Sequence, residues 1–162
     1  MTKLYPICDC SRHILFRGAV NRIEAAFDEN GYPSVVDELA TLLATTEVEQ
    51  KHRSVDLMFV MDLFCNQPDQ LRPRELNWLY EEIWEIKFGV MRLAFTSAKC
   101  QYVDSSRSLR LAGHVEAPEF GTNTARATSL FVKNSESAPA TEIRRARAIA
   151  REDKKHGSDE IH

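Results

Sequence analysis

The chain is expected to fold as an α+β domain, with a pair of N-terminal helices packed on a twisted, mainly antiparallel sheet and a basic helix at the C-terminus. Three observations lead there. Residues 34–43 and 47–65 carry apolar residues at helical spacing and are separated by a short polar break. Alternating or strongly apolar short segments then follow over residues 80–95, 107–115 and 128–133. Residues 139–155 return to helical spacing, now with Arg and Lys every three or four positions. Helices and strands kept apart in this way suit an antiparallel sheet with helices gathered on one face.

Composition agrees with a single folded domain and narrows the function classes. The 162 residues are 43% hydrophobic and 28% charged, ordinary for a globular chain, and six Gly and six Pro exclude a collagen-like or low-complexity one. Four Cys are too few to imply a disulfide framework. No apolar run reaches the roughly 18 residues of a membrane span, and the start MTKLYPICDCSRH lacks the apolar stretch of a secretory signal, so a cytoplasmic protein with no membrane partner is expected. Charge is uneven: residues 1–70 hold 6 Lys/Arg against 11 Asp/Glu, whereas residues 71–162 hold 15 against 13. Bulk attraction to nucleic acid would need a more basic chain, so any such site must be local and lie in the second half.

Taken in order, residues 1–21 read as an N-terminal extension, with residues 13–16 either a short strand or a helical turn. Residues 22–28 (RIEAAFD) alternate, with Ile23, Ala25 and Phe27 on one face, which fits a half-buried strand; a helix over 18–29 competes because Ala and Glu favour it. Asn30-Gly31 marks a turn. Pro33-Ser34 opens the first helix with Ser34 as its N-cap and Val35, Leu39, Leu42 and Leu43 at helical spacing. In the second helix, residues 47–65, nine of the last eleven positions are apolar, which predicts a core helix covered on most sides. Residues 66–74 form a loop. Residues 80–88 (YEEIWEIKF) and 90–95 (VMRLAF) read as two strands of a hairpin turned at Gly89. Residues 107–115 are a third candidate strand, 116–126 a loop and 128–133 a fourth strand. Pro139 suits the first position of the last helix, which runs to about residue 155 and leaves residues 156–162 frayed. The domain is therefore set at residues 22–155.

These residues resemble a known family. LFVKNSESAPATEIRRARAIARED is similar to the ending of RelE/HigB-like, phage-derived toxins: a strand with Phe131-Val132-Lys133, a polar link, Pro139, Glu142-Ile143 and a basic helix. LYEEIWEIKF followed by VMRLAF resembles the family's central hairpin, and DENGYPSVVDELATLL its first turn and helix. The likeness covers residues 22–153. It implies a RelE-like fold and the toxin of a toxin–antitoxin module: a metal-independent endoribonuclease that cuts mRNA, in many relatives on the ribosome, held in check by a helix-turn-helix antitoxin, with no cofactor.

Such cleavage drives the 2′-OH onto the neighbouring phosphate, so fixed cations aimed at the transition state stabilise it, while a proton leaves one oxygen and another reaches the leaving group. Arg grips two phosphate oxygens with its planar fork, and Lys supplies a compact charge. The resemblance implies Arg92, Lys133 and Lys87 as the catalytic cations: Arg92 and Lys133 clamp the scissile phosphate and Lys87 assists as a second cation or proton carrier. Each alone reads more readily as a solvated charge at a strand end, and it is the family pattern that joins them into a site. RNA contacts are further expected from Arg110 and His114 on the third candidate strand, His114 having an ordinary pKa near neutrality, and from the stripe Arg144, Arg147 and Arg151 on the last helix, which a plain solvated face would also explain. Cys8-x-Cys10-x-x-His13 is too tightly spaced for an ordinary zinc site, and no metal is expected. No phosphate-cradling Gly loop or Ser–His–Asp motif stands out.

The chain departs from the family pattern in several places. Glu85 stands where relatives often have a second Lys, Asn134 where they often have Lys, and Ala138 where a Thr would cap the last helix at a benefit of roughly 1 kcal/mol. The last helix holds no Tyr to act as base, and residues 96–128 are a longer connection than usual. These departures favour an alternative: a non-catalytic protein- or RNA-binding module on the same fold.

Overall fold

Helix α1 (Ser34–Leu43) and helix α2 (Val48–Asn66) form the expected helical hairpin. The structure is a computed structural model and describes residues 12–72, 75–98, 100–101, 120–133 and 139–159. The approach to α1 is shaped by Asp28, whose carboxylate accepts hydrogen bonds from the backbone N–H groups of Asn30 (2.9 Å) and Tyr32 (3.0 Å), while Gly31 takes a positive φ of 70°. Pro33, not Ser34, is the N-cap of α1, and no side chain caps it. The turn fixed by Asp28 and the proline ring sets the helix start instead.

The C-terminal end of α2 is tied to the sheet. The Cys65 carbonyl accepts from the N–H groups of Val20 and Asn21 at 2.9 and 3.0 Å, and the Asn21 side-chain amide donates to the Phe64 carbonyl at 2.8 Å. The helix end therefore presses on the turn between strand β1 (Ile14–Arg17) and strand β2 (Arg22–Ala25). That approach requires glycine: a Cβ on Gly18 would lie 2.5 Å from the Cys65 carbonyl oxygen.

Four further strands complete one six-stranded mixed sheet: β3 (Leu76–Tyr80), β4 (Ile83–Phe88), β5 (Met91–Ser97) and β6 (Thr124–Val132). Their order across the sheet is β1-β2-β6-β5-β4-β3. Only β2 and β6 run parallel; the other neighbours are antiparallel. Parallel neighbours need a long connection, and β2 and β6 are joined through α1, α2 and the three antiparallel strands β3, β4 and β5. Helix α3 (Ala140–Asp159) closes the chain and runs past residue 155.

Alternation along the strands sorts the core into two layers. Trp84, Ile86, Leu93, Phe95, Ala125 and Ala127 join Leu57, Val60, Met61 and Phe64 of α2 and Val35 and Leu39 of α1. Ile83, Ala94 and Phe131 face the other way and pack against Ala146 and Ala150 of α3. The helices are thus not gathered on one face, as the sequence suggested: α1 and α2 cover one side and α3 the other. The thin apolar stripe of α3 suffices because the cluster it meets is small: Ile83, Ala94 and Phe131, with Leu79 packed against them.

Other expectations are corrected or refined. Residues 80–88 are not one strand. The chain turns at Glu81-Glu82, Glu81 takes a φ of 46°, and β3 precedes the turn. β6 begins at Thr124, inside the expected loop, because its first residues pair with β2. The second helix is not covered on most sides: Val48, Val55 and Phe59 are exposed. Residues 13–16 and 22–28 resolve as strands β1 and β2, which the neighbouring β6 stabilises over the competing helix. The candidate strand over 107–115 lies outside the described residues.

Candidate nucleic-acid interface

The three cations come from adjoining strands. Lys87 and Arg92 are directly opposed across the β4–β5 ladder. Arg92 pairs in turn with Phe131 on β6, and Lys133 follows two positions later, its backbone N–H donating to the Val90 carbonyl at 2.7 Å. The alternation that turns Trp84 and Ile86 toward α2 turns Glu85 and Lys87 to the opposite face, the face α3 packs on. The tight turn at Gly89, with φ of 61°, brings the two ends of the hairpin together.

At the centre of this group sits Glu85, with its side chain fully buried. The Arg92 Nε lies 3.8 Å from its Oε2. Neither carboxylate oxygen has a well-formed hydrogen bond. Burial raises the Glu85 pKa above the ordinary carboxylate value; Arg92, Lys133 and Lys87 oppose that rise through their positive charge, in that order, and the Asn77 amide opposes it least. All three predicted cations therefore act on one carboxyl group. Desolvation outweighs them because a fully buried carboxylate with at most a weak contact from the Asn77 amide loses its hydration with little in return.

Arg92 itself is held down. Its Nη1 donates to the carbonyls of Gly89 (2.7 Å) and Met91 (2.8 Å), and its side chain is only 12% exposed. The guanidinium is thus an anchored charge at the mouth of the hairpin, and its second amino group is not among these donors. Such an arrangement offers a phosphate fixed positive charge without the loss of rotamer freedom that a solvated side chain would suffer. A proton carrier is a separate requirement. The described histidines, His13, His52 and His156, all lie off β4, β5 and β6.

The basic stripe on α3 divides. Arg147 donates from Nη2 to the Glu81 carboxylate at 2.8 Å and stacks over the Tyr80 ring at 5.0 Å, so it clamps the β3–β4 turn. Arg145 pairs with Glu38 of α1, whose other oxygen accepts from the Leu130 N–H at 2.9 Å where β2 no longer covers the β6 edge. Arg144 and Arg151 remain exposed. Arg151 lines a cleft of about 480 Å³ with Arg145 and Lys155, but also with Asp28, Glu29 and Glu152, which cancel much of its charge. Arg110 and His114 lie outside the described residues.

Sequence reasoning missed the charges that are buried. Asp153 on α3 accepts from Arg12, from Arg126 Nη1 at 2.9 Å and from the Phe27 N–H at 2.9 Å; Arg126 Nε also pairs with Glu24 at 3.2 Å, and Glu24 with Arg22 at 3.0 Å. This chain of charges fastens α3 to β2 and β6. Its only sequence signal is the position of Asp153 on the line of Ala146 and Ala150, seven residues after the first and three after the second. Cys65 is not a nucleophile: burial, with a smaller contribution from Cys100, pushes its pKa up to about 12. Among the described residues, no group of three or more His, Cys, Asp or Glu is arranged to hold a metal ion, and no helix is long and apolar enough to cross a membrane. Cys8 and Cys10 lie outside the described residues. The chain matches no protein-family model and no curated protein.

Proposed function

We propose that this chain is the toxin of a toxin–antitoxin pair, a cytoplasmic endoribonuclease of the RelE/HigB-like kind that cuts mRNA and is restrained by a helix-turn-helix antitoxin. The observation that carries the reading is the gathering of Lys87, Arg92 and Lys133 around Glu85 at one end of the β4–β5 hairpin. The order of elements adds support: two strands, a helical hairpin, four further strands and a basic helix, an α+β order compatible with the one the resemblance implies.

In this mechanism the RNA supplies its own nucleophile. The 2′-OH releases its proton to water as its oxygen attacks the adjacent phosphorus, the bond to the 5′-oxygen breaks and that oxygen takes up a proton from Lys87 or water, so the products carry a 2′,3′-cyclic phosphate and a 5′-hydroxyl. Anchored Arg92 and Lys133 stabilise the extra negative charge on the phosphoryl oxygens, and Lys87 contributes a further charge or a proton.

Cleavage of an RNA oligonucleotide by the purified protein, alone and with ribosomes, tests this. Arg92→Ala and Lys133→Ala are each expected to slow cleavage by about 10²–10³-fold, and Lys87→Ala by less. Undiminished cleavage by both of the first two rejects the assignment. A second reading, a non-catalytic protein- or RNA-binding module, is favoured by the commitment of Arg92 Nη1 to two carbonyls and by Glu85 standing where relatives often carry Lys. Under it, RNA binds and depends on the same cations, yet no cyclic-phosphate ends form.

A further inference from the structure

Helix α2 has apolar residues on two opposite sides. One side, centred on Leu57 and Phe64, is buried against the sheet and α1. On the other, Val48, His52, Val55, Phe59, Asp62 and Asn66 follow one another in alternating steps of four and three, the spacing that lines up a seam along a helix. Val48 and Val55 are 67% exposed and Phe59 is 62% exposed. The turn of the helix directs this seam away from the sheet, so it is remote from the cation cluster on the sheet's far face.

The seam is complementary to itself when reversed. Laid antiparallel on a copy centred between Val55 and Phe59, it sets each Val55 against the other copy's Phe59 and each His52, with Lys51 beside it, against the other copy's Asp62. Asp62 is oriented by the Asn66 amide, which donates to its carboxylate at 2.8 Å. A parallel pairing would instead oppose Asp62 to Asp62. Reversal symmetry is what a two-fold interface demands, since the same patch must meet itself; an unrelated partner imposes no such requirement.

We infer that α2 pairs antiparallel with α2 of a second copy, so that the chain forms a two-fold dimer through Val55 and Phe59, with the His52 and Asp62 ends setting the direction. Sedimentation equilibrium of the full chain tests it. The wild type is expected to be a dimer and Phe59→Glu a monomer, with unchanged far-UV circular dichroism because Phe59 is a surface residue. His52→Asp should weaken the dimer about tenfold or more by opposing like charges, and adding Asp62→Lys to that chain should restore it. A monomeric wild type, including one that binds a different protein through this seam, overturns the proposal. So does a dimer indifferent to Phe59→Glu, or a double variant no tighter than His52→Asp alone.

Discussion

Glu85 is a carboxyl group that the fold keeps dry while surrounding it with cations, and its pKa rises because burial wins. The folded state therefore favours the protonated form. The stability linked to this group is fully present below the ordinary carboxylate range and declines as pH rises through the raised folded value. Glu85→Gln mimics the protonated form, so its melting temperature should gain on the wild type as pH rises from about 4.5, the ordinary value, and then level off. A difference that does not change with pH would show that Glu85 does not titrate in this way. Asp153 is also buried, but its carboxylate is held by Arg12, Arg126 and the Phe27 N–H. Asp153→Ala leaves two arginines facing each other and should destabilise the protein by about 3–5 kcal/mol in urea titration. Neither residue was legible as buried in the sequence. Charged residues are ordinarily exposed, and which ones a fold encloses depends on partners far away along the chain.

At the scale of elements, the β4–β5 hairpin and α2 carry the structure. Gly89 closes the hairpin with a positive φ, so Gly89→Ala should cost about 1–2 kcal/mol. It should also weaken RNA binding more than stability alone explains, because Arg92 donates to the Gly89 carbonyl. Phe64 is wholly enclosed, edge-on to Phe95 with ring centroids 5.5 Å apart. Phe64→Ala should lose about 3–5 kcal/mol, read from the shift in denaturant midpoint. The two helices and the strand with Phe131 were legible because long periodic runs and dense apolar strands signal themselves locally. The β3–β4 turn was not. Glu81-Glu82 carries none of the Gly, Asn or Asp that mark a turn, and Tyr80, Trp84, Ile86 and Phe88 fit a single alternating strand well. What decides the turn is pairing: Leu76 and Trp78 meet Ile86 and Trp84 across the ladder.

For the molecule as a whole, the sheet separates two surfaces. α1 and α2 occupy one side; α3 and the cation cluster share the other. If single-stranded RNA follows the cluster, its affinity should fall with salt, and Lys87→Ala and Lys133→Ala should each reduce the slope of log affinity against log salt by about 0.7. A non-cleavable 2′-deoxy oligonucleotide gives that measurement without turnover, and an unchanged slope in both variants would place the RNA elsewhere.

By itself the sequence determined the α+β class, the helical hairpin and the hairpin turn at Gly89, since each rests on local period or turn chemistry, while the three cations were named through the resemblance to a family. Only the tertiary structure decided that α3 takes the opposite face from α1 and α2, that Ile14–Arg17 joins the sheet as β1, that Arg147 serves Glu81 and that Glu85 lies inside the cation cluster. Those outcomes depend on contacts between residues tens of positions apart. They are settled by which apolar faces can be covered together and which buried charges find partners, and neither is written in any one stretch of chain.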